Sequence, residues 1–360
     1  MKVIKNILLN VLTGASATIA VATVLVAYSD RLHPADHPLL ACAGMIFPFF
    51  LVANLIMLMI WLIVKWRRIW IPVVGFVLAF PAIRTYLPLH FHSEPPQGSI
   101  KVISYNVDCY LMNKEFPHPE DSIVEYLRRQ NADIVCLQED VIQPSCHQID
   151  YSSLYPYNDT VHLTKPNVIS INAVGIHTRY PIVRKERISY PSDANGSVAF
   201  FLEIGNDTVM VINNHLESTH LSDTDRERYK SMIRGGMNSE DAQAETRKLL
   251  DKLSTSMILR ATQAEAIHQY IERNSRYPAI VCGDFNDTPI SYVRRTIAQG
   301  LTDCYVESGN GVGVSYNQKG FYFRIDQIMC SDHFEPYNCY IDDQMKASDH
   351  YPILCWLKKE

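Results

Sequence analysis

Six short polar patches in the last two thirds of this 360-residue chain carry the side chains that could do chemistry. Most of them follow an apolar, β-rich run, so that a strand delivers each polar group to the edge of a sheet. Acids, amides and histidines that converge in this way are typical of a metal-dependent site that cleaves phosphodiester bonds. The patches are SYNVD with Asn106 and Asp108, LQED with Glu139, INNHLES with Asn213 and His215, CGDFND with Asp284 and Asn286, RIDQI with Asp326, and SDHYPI with Asp349 and His350.

The oxygen-bearing side chains of these patches predict a hard divalent cation such as Mg²⁺, which often takes only one or two carboxylates plus water and substrate phosphate. Glu139 is the first-choice ligand because it directly follows the strand-like run DIVCLQ. Asn106 could add an amide oxygen or hold a metal-bound water. Asp108 would share a strand face with Asn106, and Asp349 could also reach a metal.

The remaining polar residues predict acid–base and phosphate-binding roles. His350 is the best general acid or base, because an imidazole exchanges a proton near neutral pH, and Asp326 is its expected partner. Asp284 could orient the attacking water while Asn286 bonds a phosphate oxygen. The transition state's negative charge could be stabilised by His215, or by the amide of Asn213. The alternative is that His215 has only a structural role.

The ordered set of patches resembles the endonuclease/exonuclease/phosphatase superfamily, whose members have the DNase I-like fold. The family's Asn-bearing first strand, QE, N-x-H-L, GDFN, D-x-I and terminal S-D-H motifs occur here in the same order, over about residues 99–358. GIHTRYPI at 175–182 is similar to a further family stretch, and its Arg179 is a candidate phosphate-binding residue. LTDCY at 301–305 also resembles a family segment.

This resemblance implies an α/β fold with a two-sheet β-sandwich flanked by helices, the DNase I-like four-layer sandwich. It implies hydrolysis of a phosphoester with Mg²⁺ or Mn²⁺, with Glu139 as metal ligand and Asn106 near it. It implies that His350 and Asp326 are the acid–base pair. Asp284 and Asn286 would hold nucleophile and phosphate, and His215 would bind phosphate. Family members act on nucleic acids, lipid headgroups or small phosphoesters, so the resemblance leaves the substrate open.

The distribution of charge argues against a protein that grips long nucleic-acid duplexes. Residues 1–92 hold seven basic and two acidic side chains, which leaves about −10 of formal charge on the remainder of the chain. Non-specific duplex binding requires a basic surface, and none is visible in this composition. A lipid headgroup or small phosphoester is therefore favoured, with a nuclease as the competing interpretation.

Residues 1–92 are predicted to be a membrane region with two to three transmembrane helices, at about 7–28, 39–64 and 69–90. The first two apolar runs are each long enough to cross a bilayer. A cleaved signal peptide is the alternative for the first run, but its length and the second run argue against cleavage. Residues 93–98, in the Pro-rich stretch HSEPPQGS, form the predicted linker to a catalytic domain at 99–360.

Basic residues that flank the apolar runs predict the orientation of the chain in an inner or plasma membrane. Lys2 and Lys5 precede the first run, and Lys65, Arg67 and Arg68 follow the second, so both clusters belong on the cytoplasmic side. Three spans then leave the catalytic domain on the outer, periplasmic or extracellular face. If residues 69–90 lie only in the interface, the domain would be cytoplasmic instead.

Residues 217–259 form a charged, helix-prone stretch that is predicted to be an insertion directly after His215. A solvated helical pair is the simple interpretation, and a lid or membrane-facing cover that selects substrates is the functional one. For the whole chain, the alternative to an enzyme is a catalytically silent DNase-like binding module on a membrane anchor. No protein partner is identifiable from the sequence.

Overall fold

The structure is a computed structural model that describes residues 2–111, 115–143, 146, 147, 149–165, 172–219, 239–318 and 321–360, with residues 224, 227, 228 and 231. Part of the predicted insertion, from residue 220 to 238, therefore lies largely outside the described residues. So do residues 168–171 of one predicted strand region.

Apolar helices make up the N-terminal region, and two of them are long and apolar enough to cross a membrane, at Val3–Arg31 and Pro38–Val64. A bent pair, with an angle of 62° between its halves, follows and could serve as a third span. The helices are α1 (Lys2–Ala27), α2 (Pro38–Ala41), α3 (Phe47–Val64), α4 (Trp70–Leu78) and α5 (Phe80–Tyr86).

Polar contacts fix the antiparallel packing of α1 and α3. Trp61, near the end of α3, donates its indole N–H to the hydroxyl of Ser16, midway along α1, at 3.0 Å. Arg68 donates to the carbonyl of Leu9 at 2.9 Å. Because polar groups in an apolar environment must find partners within the protein, these bonds set the register of the two helices. Both basic clusters therefore lie at the same end of the helical bundle.

The second domain is built from strands and helices in alternation. Its strands are β1 (Ile100–Asn106), β2 (Ile134–Gln138), β3 (Tyr157–His162), β4 (Ala173–Thr178), β5 (Ile182–Ile188), β6 (Gly196–Ile204), β7 (Asp207–His215), β8 (Ala279–Asp284), β9 (Thr302–Asp303), β10 (Tyr316–Gln318), β11 (Phe321–Phe323), β12 (Asp326–Cys330), β13 (Phe334–Ile341) and β14 (Ile353–Lys359). Its helices are α6 (Pro119–Gln130), α7 (Ser239–Arg273), α8 (Tyr292–Ile297) and α9 (Cys304–Ser308).

Twelve of these strands form two six-stranded mixed sheets, in the orders β13-β14-β1-β2-β4-β3 and β5-β6-β7-β8-β12-β9. The inner faces of the two sheets share one apolar core, to which β1 contributes Val102, β2 Cys136, β6 Phe200 and β8 Cys282. Successive side chains of a strand point to opposite faces, so the intervening residues pack outward. Helix α6 covers the outer face of one sheet, and α7 with α8 covers the other. The predicted four-layer sandwich is confirmed.

Helix α7 joins the second half of the predicted insertion to the amphipathic helix predicted after it, in one element of 35 residues. Its last turns pack on the sandwich through Ala264, Ile267 and Ile271. Earlier turns pack Leu253 and Met257 against Ala41 and Cys42 of the membrane region. The insertion is therefore no solvated helical pair along its described part, because one face of α7 connects the two domains.

Candidate active site

Strand register brings the six polar patches to one end of the sandwich. Asn106, the last residue of β1, pairs in parallel with Gln138 of β2. In the other sheet, His215 ends β7 beside Asp284, which ends β8, and Asp284 pairs with Asp326 of β12. Each of these strands carries apolar residues of the inner core at alternate earlier positions. The polar ends therefore face one another between the sheets.

Asn106 and Glu139 lie in direct contact at this end. The side-chain nitrogen of Asn106 donates to Oε1 of Glu139 at 3.2 Å and to Oδ2 of Asp284 at 3.1 Å. Its side-chain oxygen accepts the backbone N–H of Asp108 at 3.0 Å. Asn106 thus connects carboxylates from both sheets through its amide nitrogen.

Directly after β1 and β2 the backbone adopts left-handed conformations, which change the direction of the side chains there. Asp108, Cys109 and Tyr110 have φ of 48°, 49° and 53°, and Glu139 has φ of 55°. Residues other than glycine rarely adopt this region, and such strain is concentrated at functional sites. Strand alternation alone would send Glu139 to the outer face of its sheet with Leu137. The positive φ instead directs its carboxylate towards Asn106.

His350 sits between two carboxylates. Its Nδ1 lies 2.8 Å from Oδ2 of Asp326, and its Nε2 lies 3.7 Å from Oδ2 of Asp284. Oδ1 of Asp326 is buried and lacks a hydrogen-bond partner among the described residues. Because Nδ1 is held by Asp326, Nε2 is the ring nitrogen that faces the pocket.

Burial and mutual charge shift the proton affinities of this group. Burial raises the pKa of Asp284 to about 6, and the carboxylate of Asp326 adds to this, while the imidazoles of His350 and His215 oppose it. Burial by itself lowers the pKa of His350, but the carboxylates of Asp326 and Asp284 outweigh it and raise this pKa well above the usual value. A proton-accepting acid and a protonated imidazole can therefore coexist near neutral pH.

His215 completes the wall opposite His350. Its Nε2 lies 3.6 Å from Oε1 of Glu139 and 3.8 Å from Oδ2 of Asp284. Its Nδ1 contacts the side-chain amide of Asn172, with 2.8 Å to the nitrogen and 3.2 Å to the oxygen. This contact fixes the ring and aims Nε2 at the carboxylates.

Asn286 follows Asp284 on a tight turn with φ of 52°. Its backbone N–H donates to Oδ1 of Asp284 at 2.8 Å, and its side-chain nitrogen donates to the carbonyl of Leu216 at 3.0 Å. The turn therefore holds the Asp284 carboxylate in place and keeps Asn286 on the pocket surface.

The site lines a cavity of about 290 Å³ in which acidic groups predominate. One base in its lining, Arg260, is tied to the carbonyl of Glu217 at 2.9 Å and lies 3.5 Å from Asp287. The acids of the lining are Asp108, Glu139, Asp284, Asp287 and Asp349. Protons, the neighbouring imidazoles or a bound cation must compensate these carboxylates. Asp284, Asp326 and His350 lie close enough together to hold one metal ion, and carboxylate oxygens suit a divalent cation.

Asn213 was predicted to bind phosphate, but its position contradicts this. Its side-chain nitrogen donates to the carbonyls of Leu137 and Gly175 at 2.9 Å each, and its oxygen accepts from Gln138 at 2.7 Å. It is fully buried between the sheets. These bonds engage both the nitrogen and the oxygen of the side-chain amide. Asn213 therefore joins the two sheets beneath the site.

Arg179 was also predicted to bind phosphate, and it lies at the wrong end of the sandwich. Strands β2 and β4 are antiparallel, so Thr178 pairs with Ile134 at the start of β2, whereas Glu139 follows its end. Five residues of strand separate the two ends by roughly 16 Å. The guanidinium of Arg179 instead contacts Asn131 and Asp133.

The structure adds several residues to the site that the sequence analysis did not single out. Asn172 orients His215, and the hydroxyl of Ser348 donates to the carbonyl of Asn106 at 2.7 Å. The thiol of Cys109 lies 3.6 Å from Oε2 of Glu139, and burial together with this carboxylate raises its pKa. Ser348 belongs to the SDH patch and could have been noticed there. Asn172 and Cys109 become visible only through the fold.

Two sequence families match this chain. The profile described as "Endonuclease/Exonuclease/phosphatase family" covers residues 103–350. The profile described as "Domain of unknown function (DUF8431)" covers residues 8–86. No curated protein matches the chain. The two matched ranges coincide with the N-terminal apolar helices and with the sandwich domain.

Solved structures with the same fold cover the second domain. An endonuclease/exonuclease/phosphatase from Beutenbergia cavernae is 15% identical, with a TM-score of 0.52 and coverage of 72% of each chain. One from Bacteroides vulgatus is 16% identical, with a TM-score of 0.50, and covers 73% of this chain and all of that one. The human Nocturnin catalytic domain with bound sulfate is 17% identical, with a TM-score of 0.50, covering 73% and 95%. At these identities the likeness shows the fold.

Proposed function

Because this chain belongs to the endonuclease/exonuclease/phosphatase family, we propose that it is a divalent-metal-dependent phosphodiesterase held at a membrane by its N-terminal helices. The family's description names nucleases and phosphatases, and one fold can serve several substrates. The proposal therefore depends on the site itself and on the membrane region.

One observation carries the proposal: the pocket brings together a histidine–aspartate pair, an acidic cluster and side-chain amides that hydrogen-bond to the carboxylates. His350 contacts Asp326 at 2.8 Å, and Asn106 joins Glu139 to Asp284. A domain that only binds a partner has no need of a buried carboxylate whose pKa is raised to about 6. The arrangement therefore favours catalysis over the binding-module alternative.

Each residue has a place in hydrolysis. Glu139, with Asn106, Asp108 and Asp349, would hold Mg²⁺ or Mn²⁺, which would supply positive charge for the phosphate oxygens. Asp284 accepts the proton of the attacking water as the new P–O bond forms. Protonated His350, held by Asp326, donates to the oxygen of the P–O bond that breaks. Asn286 and His215 bind the remaining phosphate oxygens, where negative charge builds up.

The membrane region supports an anchored enzyme on the outer face. Lys65, Arg67 and Arg68 lie at the end of the bundle far from the catalytic domain, beside the first turns of α1. Basic residues stay on the cytoplasmic side, so the opposite end, which bears the catalytic domain, belongs outside. The bent pair α4–α5 returns the chain to that end.

The test is hydrolysis of bis-p-nitrophenyl phosphate by the full-length protein in detergent or nanodiscs. We expect turnover with Mg²⁺ or Mn²⁺ that EDTA abolishes, and a loss of several orders of magnitude in Glu139→Gln. Glu272→Gln, an exposed glutamate of α7, is the matched control and should keep full activity. Turnover in Glu139→Gln at the wild-type rate would contradict the proposal.

A further inference from the structure

The pocket has a second, apolar side that the chemistry above does not use. Met45, Leu253, Met257, Phe323 and Ile325 line the same pocket as the acidic residues. Hydrolysis of a phosphodiester requires no such surface, because the reacting phosphate is charged and solvated. An apolar wall next to a phosphate site instead suits a substrate that joins a polar head to a hydrocarbon chain.

One residue of this wall belongs to the membrane region. Met45 lies between α2 and α3, within the second apolar segment, and it packs with Cys42 against Leu253 and Met257 of α7. The thiol of Cys42 contacts the sulfur of Met257 at 3.2 Å. Residues from the anchor and from the catalytic domain therefore form the wall together.

The site also lies directly at the ends of the apolar helices. Ile290, six residues beyond Asp284, packs among Val26, Ala27 and Phe47, where α1 ends and α3 begins. Gly44 approaches the carbonyl oxygen of Ile290 so closely that a Cβ would collide with it. The segment that follows the proposed catalytic residue Asp284 therefore packs directly against the N-terminal helices.

Polar contacts and exposed apolar groups complete this junction. His33 contacts Glu265 at 3.0 Å, and Arg295 contacts Asp30 at 3.6 Å. On α2, which packs against α7, Leu39 and Leu40 are 59% and 57% exposed. Exposed leucines beside the ends of apolar helices form a surface that would insert into the interfacial region of a bilayer.

From this geometry, and resting on the phosphodiesterase function proposed above, we propose that the substrate is a phosphodiester attached to a lipid of the same bilayer. The phosphate enters the acidic end of the pocket, and the first part of the hydrocarbon chain lies along Met45, Leu253 and Met257. The anchor therefore contributes to substrate selection as well as to location. Water adds to phosphorus, the ester bond to the other substituent breaks, and the lipid keeps the phosphate.

The test compares two chromogenic phosphodiesters that share p-nitrophenol as leaving group and carry either a methyl or a hexadecyl ester. Both are assayed with full-length protein in nanodiscs. We expect a higher kcat/KM for the hexadecyl ester, and a fall of this preference on the order of tenfold in Met45→Gln and in Met257→Gln. The preference is the ratio of kcat/KM for the two esters, so a general loss of activity in a variant does not by itself change it. Leu89→Gln, which changes an exposed apolar residue outside the pocket lining, is the control.

The outcomes separate the two proposals. If wild-type protein cleaves neither ester, the phosphodiesterase function itself is wrong. If it cleaves the methyl ester, but Met45→Gln and Met257→Gln leave the preference at the value of Leu89→Gln, the lipid-substrate proposal is overturned. Using two wall residues from different domains guards against a folding defect in either variant.

Discussion

Asp284 and Asp326 are directly paired residues on the neighbouring antiparallel strands β8 and β12, and His350 contacts both carboxylates. Two buried acids at such close range can remain together only if protons or positive charge compensate them. Burial, with a contribution from Asp326, raises the pKa of Asp284, and the two carboxylates raise the pKa of His350. This pairing leads to the first two predictions.

The Asp326→Asn variant should shift the pH dependence of hydrolysis. Removing the carboxylate leaves burial to lower the pKa of His350, so the imidazole loses its proton at lower pH. If protonated His350 is the acid, the alkaline limb of the kcat/KM profile should move down by about one unit or more. The measurement is a pH–rate profile. Asp251→Asn, an exposed acid of α7, should leave the limb in place.

The Asp284→Asn variant should be more stable than wild type without divalent metal. The folded-state pKa of Asp284, about 6, lies above the ordinary value of 3.8. The folded protein thus binds this proton more tightly, so the ionised carboxylate destabilises the fold above about pH 6. This cost disappears as pH falls from 6 towards 4. It amounts to at most about 3 kcal/mol, on the order of two pKa units.

Denaturant unfolding in EDTA checks this. The stability difference between Asp284→Asn and wild type should be present at pH 7.5 and nearly gone at pH 4. Adding Mg²⁺ should stabilise wild type more than the variant, since binding to the folded state is favourable. An Asp284→Asn protein less stable than wild type at pH 7.5 in EDTA would show that the carboxylate is compensated without metal.

Asn213→Ala should lower stability without affecting substrate binding. Its amide joins the carbonyls of Leu137 and Gly175 to the opposite sheet, and truncation leaves these buried groups unsatisfied. A loss of about 1–3 kcal/mol follows from one such group. We expect a lower melting temperature and an unchanged KM for a soluble phosphodiester. A KM that rises severalfold at constant stability would restore its phosphate-binding role.

Gly44→Val should loosen the junction between the anchor and the catalytic domain. The new side chain would collide with the carbonyl of Ile290, so the segment that holds Met45 must move away. We expect faster hydrogen exchange in residues 287–291 and a smaller preference for the hexadecyl ester. Gly14→Val is the matched control, because a Cβ there meets no neighbouring atom. Equal exchange in both variants would argue against tight docking.

Protease that has direct access to the outer face of the membrane, in whole cells or in spheroplasts freed of any outer membrane, should digest the catalytic domain. The proposed outer location rests on the basic cluster at residues 65–68, which lies at the bundle end opposite this domain. An antibody to a C-terminal tag would follow the loss of full-length protein. Protection of the domain until the membrane is permeabilised would put it on the cytoplasmic side.

Much of the fold and the site follows from local pattern. Alternating apolar residues in IKVISYN and TVMVINNH predict the strands, and they also predict that Asn106 and His215 share the inner faces with the core. The order of the patches indicates the family, which the profile match confirms. Apolar length alone predicts the two helices that could cross a membrane.

Other features required the tertiary structure, because they depend on contacts between distant segments. Asn213 lies in the same sequence patch as His215, so local pattern suggests a binding role. In the fold its side-chain nitrogen instead donates to carbonyls of β2 and β4. Arg179 lies in a family-like stretch, but antiparallel pairing of β2 and β4 carries it away from Glu139.

The sequence by itself therefore determined the domains, the strands and most of the chemical groups of the site. The tertiary structure decided which of those groups meet, how Glu139 is aimed, and that Met45 of the anchor lines the pocket. The physical reason is that hydrophobic periodicity depends only on residues that are close together in the sequence. Hydrogen-bond partners and the packing of one domain on another are set by residues far apart in the chain, and no local pattern encodes them.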